Sequence, residues 1–164
     1  MKKLNEDNVR ERVLSEDEFE ILLENLQPPL KEITLVAYYL AMRQKEILQL
    51  QWDQVDLDKK IIRLKGEDTK TGFKRRIPIY PRVLEMLQSL EMNKEEKHVF
   101  LKNGKPIKIF SGNFKRLWDL AVKKSGLGDF TFHDLRHCAI NNLRLAGNDH
   151  FTIMSISGHK TTSV

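Results

Sequence analysis

The sequence predicts an α+β domain, mostly α-helical with one small antiparallel β-sheet or hairpin, and three observations carry that prediction. Helix start and stop signals punctuate most of the chain: Ser15 and Glu18 form a capping box, Pro28 and Pro29 break a helix, Pro81 opens another, and Gly126 and Gly147 close two more. Apolar residues between these signals recur at helical spacing. Only from about Lys60 to Ile79 does the pattern turn to short β-type runs around a turn-rich segment, KGEDTKTGFK.

In chain order, the first dozen residues are polar and read as an arm. A helix follows from Ser15 to about Leu26, and a second from about Leu30 to Met42 places Ile33, Val36, Ala37 and Leu40 inward. Tyr38 and Tyr39 belong to its packing. The run QKEILQLQW is short and amphipathic, with Ile47, Leu48 and Trp52 expected inside. Ile61, Ile62 and Leu64 pair with Arg76 to Ile79 as a two-stranded hairpin, punctuated by Gly66 and Gly72. A helix from Pro81 to about Met92 is followed by a strand near Val99 to Leu101 and a Gly-Pro turn. Ser111 caps a basic helix, FKRLWDLAVKKSG, whose inner face is Phe114, Leu117, Trp118 and Ala121 or Val122. The last long helix buries Phe132, Leu135, Ala139, Leu143 and Ala146, and Val164 lies in a further short helix.

Composition limits the function. The 164 residues are enough for one domain with a real core, and 40% hydrophobic with 31% charged residues is a globular balance. No apolar run reaches the length of a membrane span and no signal peptide precedes the first helix, so a cytoplasmic protein is expected. The one cysteine, Cys138, falls in a helix and reads as a small core residue in a reducing setting. The net charge of +5 is unevenly spread. Residues 1–58 carry 7 Lys and Arg against 13 Asp and Glu, whereas residues 59–82 carry 9 against 2 and residues 98–128 carry 7 against 1. Two basic blocks beside an acidic N-terminal third point to a polyanion, with nucleic acid the default partner.

His133 and Arg136 stand three apart, and helical spacing lets both address one small target. An imidazole beside a planar guanidinium suits a phosphate oxygen. Arg43 lies at a helix junction with Glu46 three residues on, able to orient it. Lys65, Lys74, Arg75 and Arg76 on the hairpin, and Lys115 and Arg116 on the basic helix, are expected to contact phosphates.

Taken together, AMRQKEILQLQWDQVDLD, TKTGFKRRIPI, FHDLRH and SGHK resemble, in order and from about Arg12 onward, the catalytic domain of the tyrosine recombinases of the phage-integrase type. The resemblance implies Arg43 and Arg136 as the two catalytic arginines, Glu46 as the acidic residue beside the first, Lys70 as the hairpin general acid, His133 as the histidine of His-x-x-Arg and His159 as that of Gly-His. It implies a site-specific recombination reaction on double-stranded DNA through a 3′-phosphotyrosyl link, with no cofactor and no metal, in a protein that assembles as a tetramer on its site. Two departures, Leu40-Ala41 where the family often has Thr-Gly and Ser157 where it has Leu, are expected to alter packing more than chemistry. A third is larger: the family places its nucleophilic tyrosine shortly after the Gly-His histidine, whereas no tyrosine follows Tyr80 and the sequence runs only to Val164. The expectation is therefore one domain, residues 1–164, cut before its nucleophile and without the upstream DNA-clamping domain, able to bind DNA but not to cleave it. The alternatives are a non-catalytic DNA-binding accessory module, a metal-assisted phosphoesterase using His133, His137, His150 and His159, and a type IB topoisomerase, which uses similar groups.

Overall fold

The computed structural model describes residues 12–110 and 112–159. The N-terminal arm, the Ser111 cap and the helix at Val164 lie outside the described residues. Seven helices and two small sheets are present among those described.

Helix α1 (Glu16–Glu24) starts at the capping box: Glu18 N donates to Ser15 Oγ at 3.2 Å and Ser15 N donates to Glu18 Oε2 at 2.9 Å. Phe19, Leu22 and Leu23 form its buried face. After the prolines comes α2 (Leu30–Leu40), the central helix. It is buried on nearly every side, and Thr34 satisfies its hydroxyl by donating to Leu30 O at 2.8 Å. Tyr38 stacks on Phe19 with ring centroids 3.6 Å apart, and Tyr39 stacks on Tyr80, so both tyrosines are packing residues.

Helix α2 ends two residues earlier than the apolar run suggested, because Ala41 takes the left-handed conformation with φ 53°. That conformation costs a non-glycine residue about 1 kcal/mol. The Ala41 methyl is fully buried with Ala139, Ile140 and Ile153, which offsets part of the cost. The reversal sends Met42 into the core and brings Arg43 out in extended conformation as the cap of α3 (Gln44–Leu48). Ile47 and Leu48 are buried as expected, whereas Trp52 is only half-buried in a short 3-10 turn.

The expected hairpin gains a third strand. β1 (Val55–Asp56), β2 (Ile61–Leu64) and β3 (Arg75–Pro78) form an antiparallel sheet in that order, with Ile62 opposite Ile77 and Leu64 opposite Arg75. Ile62, Leu64, Arg75 and Ile77 face inward and Arg76 outward, the period-two pattern of a sheet with one covered face. The loop between β2 and β3 is tight. Thr69 Oγ1 donates to Phe73 O at 3.0 Å, and a Cβ on Gly66 would lie 2.5 Å from Gly72 O.

Pro81 is the first residue of α4 (Pro81–Glu91). The strand expected near Val99 is displaced: β4 (Leu101–Lys102) pairs with β5 (Lys105–Pro106), while Val99 N instead donates to Leu50 O at 2.9 Å. The turn is Asn103-Gly104, both with positive φ, rather than Gly-Pro, because a two-residue hairpin loop requires that handedness. Helix α5 (Asn113–Lys124) buries Phe114, Trp118, Ala121 and Val122; Leu117 lies off that stripe and is 40% exposed.

Helix α6 (Asp134–Leu145) packs along α2. Phe132, Leu135 and Ala139 are buried as expected, but Leu143 is half-buried and Ala146, just past the end of α6, is exposed. Cys138 takes the inner place instead, fully buried, its Sγ accepting from Leu14 N at 3.4 Å. Helix α7 (His150–Ser157) is capped by Asp149, whose Oδ1 accepts from Thr152 N at 2.8 Å, and ends at Gly158.

Gly66→Ala should destabilise the domain by about 1–3 kcal/mol, because the new methyl meets backbone rather than a yielding side chain. Urea unfolding checks this; a change within error would mean that the loop opens at no cost.

Candidate functional site

Four separate pieces of chain converge on the C-terminal end of α7. A helix leaves its last carbonyls without intrahelical partners and carries partial negative charge there, so that end attracts cations. Here three consecutive carbonyls each accept from a different arginine. Arg75 Nε donates to Ile156 O at 3.0 Å, Arg136 Nη2 to Ser157 O at 2.7 Å, and Arg43 Nη2 to Gly158 O at 3.2 Å. Arg136 Nη1 also donates to Ala41 O at 2.6 Å, the carbonyl turned out by the left-handed end of α2.

Glu46 joins two of these cations. Arg75 grips it with both ends of its fork, Nη1 to Oε1 at 2.7 Å and Nη2 to Oε2 at 3.0 Å. Arg43 Nη1 donates to Oε1 at 3.2 Å and Arg43 N to Oε2 at 2.9 Å. Burial pushes the Glu46 carboxyl upward, but hydrogen bonds and charge from Arg75, helped by Arg43, outweigh it and hold Glu46 below its ordinary range.

The structure corrects the sequence reading of Arg75. Expected as an exposed phosphate contact, it is 5% exposed and engaged on all sides by Glu46 and Ile156 O. Its guanidinium is taken up by Glu46 and Ile156 O rather than left free at the surface. The signal was present: Arg75 shares strand parity with Ile77 and Ile79, both buried. Lys65, Lys74 and Arg76 are exposed as expected. On α5, Lys115 and Arg116 are also exposed; Lys115 Nζ pairs with Asp119 Oδ2 at 2.6 Å, a surface pair worth under about 1 kcal/mol, and Arg116 Nη2 donates to Asn113 Oδ1 at 2.9 Å.

Arg136 is 4% exposed, so most of the guanidinium that spacing set beside His133 is withdrawn from solvent. Burial, with Arg43 and Arg75 nearby, disfavours its charge and lowers its pKa to about 9, still high enough for a charged guanidinium at neutral pH. His133 occupies the cap position of α6 rather than its first turn, beside His137, with ring centroids 5.2 Å apart. Part of the residue meets solvent, but burial of the ring, then His137 and Arg136, hold its pKa below the ordinary value, leaving a neutral imidazole. His133, Arg136 and Gln44 border one small recess of about 90 Å³.

His159 follows Gly158, half-buried, with Arg136 Nη2 3.4 Å from Nδ1 and Ser157 Oγ 2.8 Å from the same nitrogen. Burial, followed by Arg136 and Arg43, lowers its pKa to about 4. Gly158 is required twice over: its φ is +75°, and a Cβ there would lie 2.7 Å from Arg75 Cδ. Lys70 stands exposed on the hairpin loop. That loop borders a groove of about 710 Å³ running from Thr71 and Phe73 to Gly158 and His159. Arg43, Glu46, His133, Arg136 and His159 thus gather from distant parts of the sequence, and Ser157 and Arg75 join them unpredicted. The four histidines of the metal alternative do not: among the described residues no three His, Cys, Asp or Glu side chains come together as a metal site.

A mostly helical domain with a small antiparallel sheet is the architecture of a tyrosine recombinase catalytic domain. Residues 12–164 match the phage integrase family, and the chain belongs to it. It is 32% identical over 130 residues to the shufflon-specific DNA recombinase of Escherichia coli, a match covering 79% of this chain and 31% of that one. A crystal structure of XerA recombinase superposes with a TM-score of 0.74 at 25% identity, covering 93% of this chain and 57% of that one. A lambda integrase tetramer bound to a Holliday junction shares the fold, with a TM-score of 0.73 at 22% identity over 93% of this chain and 48% of the other. The chain spans less than two thirds of the length of these proteins. Among the described residues no helix is long and apolar enough to cross a membrane.

The depressed His159 pKa has a signed consequence. Above pH 6.5 the ring is neutral folded or unfolded and contributes nothing; as pH falls from 6.5 towards about 4 the unfolded chain takes up the proton first, and stability is lost. Wild type should therefore lose more stability than His159→Gln across that window in urea titrations. Parallel losses would show that the ring is not desolvated.

Proposed function

We propose that this chain supplies the phosphate-binding and proton-transfer groups of site-specific recombination on double-stranded DNA, with the tyrosine nucleophile provided from outside residues 1–164. The observation that supports this most is the gathering of Arg43, Arg136 and His159 at the end of α7, with His133 beside Arg136 in a small recess and the lysine-bearing hairpin bordering the groove that ends at His159.

The tyrosine oxygen attacks the scissile phosphorus, its proton passing to neutral His133. Arg43 and Arg136 draw the non-bridging oxygens and stabilise the charge that develops on them, and His159 adds a hydrogen bond. Lys70 protonates the departing 5′-oxygen. Phosphorus exchanges one ester for another, the 3′-phosphotyrosyl link stores the bond, and a second 5′-hydroxyl reverses the step. No cofactor enters.

Lys65, Lys74, Arg76, Lys115 and Arg116 supply sequence-independent phosphate contacts in this proposal, with Arg75 removed from that set. The tetramer of lambda integrase on its junction supports a homo-oligomer on DNA here, in a cytoplasmic, DNA-associated protein.

DNA affinity of the chain should fall steeply with salt, and alanine at Lys65, Lys74 and Arg76 should flatten the log–log slope by up to about 0.9 per lost contact. Fluorescence anisotropy on a labelled duplex measures it, and a flat wild-type response would remove both basic blocks from the interface. In a protein joining this chain to the nucleophile, Arg136→Ala should lower strand cleavage by about 10²–10³. Retention of full cleavage on a nicked suicide substrate would refute the assignment; cleavage lost to His159→Gln and Arg43→Ala alike would support it.

A further inference from the structure

Three hydroxyls on or at the ends of helices in this domain bond back to the backbone of their own helix, and Ser157 does not. Thr34 Oγ1 donates to Leu30 O at 2.8 Å, Ser125 Oγ to Ala121 O at 2.7 Å and Ser155 Oγ to Thr152 O at 2.7 Å, each bonding back to a carbonyl three or four residues earlier. Ser157, the last residue of α7, is fully buried and reaches forward instead, its Oγ 2.8 Å from His159 Nδ1. Its own carbonyl is taken by Arg136.

We propose that Ser157 is a positioning residue that fixes the tautomer of His159: its hydroxyl donates to Nδ1, so the ring proton resides on Nε2, where it serves as a neutral hydrogen-bond donor to a phosphate oxygen. This inference deepens the recombination reading and rests on it for the identity of the phosphate.

Hydrogen-bond accounting carries the assignment. A hydroxyl has one proton, and a buried one without an acceptor loses about 1–3 kcal/mol. Among the described residues no carbonyl or carboxylate accepts from Ser157 Oγ, so Nδ1 is the acceptor that satisfies it. The reverse arrangement, Nδ1–H donating to Oγ, would leave the hydroxyl proton buried and unpaired. Arg136 Nη2 lies 3.4 Å from Nδ1 and 3.5 Å from Nε2 and can only donate, so it does not distinguish the two nitrogens; the Ser157 hydroxyl decides between them by requiring a lone pair at Nδ1. The charged groups facing the ring are Arg136 and His137 from α6, Arg43 from the α2–α3 junction and Arg75 from β3; all disfavour a second ring proton, in keeping with a neutral donor.

The consequence differs from the expectation drawn from the sequence. Ser157 stands where the family often has leucine, a difference that reads as packing. A leucine has no hydroxyl to give; here the side chain beside the glycine sets which ring nitrogen can address the phosphate. Because the group acts as a neutral donor, its contribution should be level across the pH range above its pKa of about 4.

The test is long-range ¹H–¹⁵N correlation NMR on the chain with ¹⁵N-labelled histidine, comparing wild type, Ser157→Ala and Ser157→Thr at neutral pH. Wild-type His159 should carry its proton on Nε2. Ser157→Ala should weaken that preference by about fivefold, the equivalent of about 1 kcal/mol for one hydrogen bond, and Ser157→Thr, which keeps the hydroxyl, should restore it. A change in packing alone would move thermal stability and leave the tautomer ratio where it was. A proton on Nδ1 in wild type, or a ratio unchanged in Ser157→Ala, overturns the assignment. Addition of a short DNA duplex separates the two layers: perturbation of the Nε2–H signal supports the phosphate role, and a ring in the expected tautomer that ignores DNA overturns that role while the Ser157 contact stands.

Discussion

The bidentate ion pair between Arg75 and Glu46 is the interaction on which the site depends. Both side chains are about 3% exposed, and both charges have been withdrawn from water at a cost of several kcal/mol each. That cost is recovered only because the pairing is nearly complete: two fork contacts to Glu46, a third donor to Ile156 O, and the remaining carboxylate capacity filled by the backbone and side chain of Arg43. Loss of either partner would strand a buried charge. The pair thereby ties the sheet, through β3, to α3 and to the end of α7, three elements with no sequence neighbourhood in common.

Such construction suits a reaction whose demand is electrostatic. In the proposed reaction charge grows on non-bridging phosphate oxygens in the transition state, and donors already held in place need not reorganise to meet it. Arg136 illustrates the trade. Left alone, a guanidinium this buried among other cations would be expelled to solvent; the carbonyls of Ala41 and Ser157 retain it. One of those carbonyls comes from a strained left-handed residue and the other from a helix terminus, two places where a backbone acceptor is available because regular structure has ended. The ends of α2 and α7 are thus part of the site.

Much of the fold was legible because it depends on local signals. The Ser15 capping box, Pro81 at its helix start and the inner face of α2 are each decided within a few residues. The four motifs likewise located Arg43, Glu46, His133, Arg136 and His159. What could not be read depended on partners far along the chain. Helical spacing made Arg136 an edge residue, since nothing local says that Ala41 and Ser157, 95 and 21 residues away, will present carbonyls to it. Trp52 and Leu117 were placed inside on hydrophobicity, but Leu117 falls off the buried stripe of α5 and Trp52 sits in a 3-10 turn that leaves it half-buried. Arg75 is different: its parity with Ile77 and Ile79 argued for burial, and the presence of Lys74 and Arg76 on either side obscured it.

The Gly-His dipeptide shows why a motif of two residues can carry so much weight. Glycine at 158 is the only side-chain choice compatible with both a φ of +75° and the approach of Arg75 to within what would be 2.7 Å of a Cβ. The left-handed turn ends α7 there, exposes the carbonyls of residues 156–158 to three arginines, and directs the next side chain across Arg136. Any other residue at 158 would have to displace the Arg75 guanidinium, and with it the pair to Glu46 that orients Arg43. The histidine is therefore placed by the same contact that places the first arginine, so the position of one of these side chains is not independent of the other.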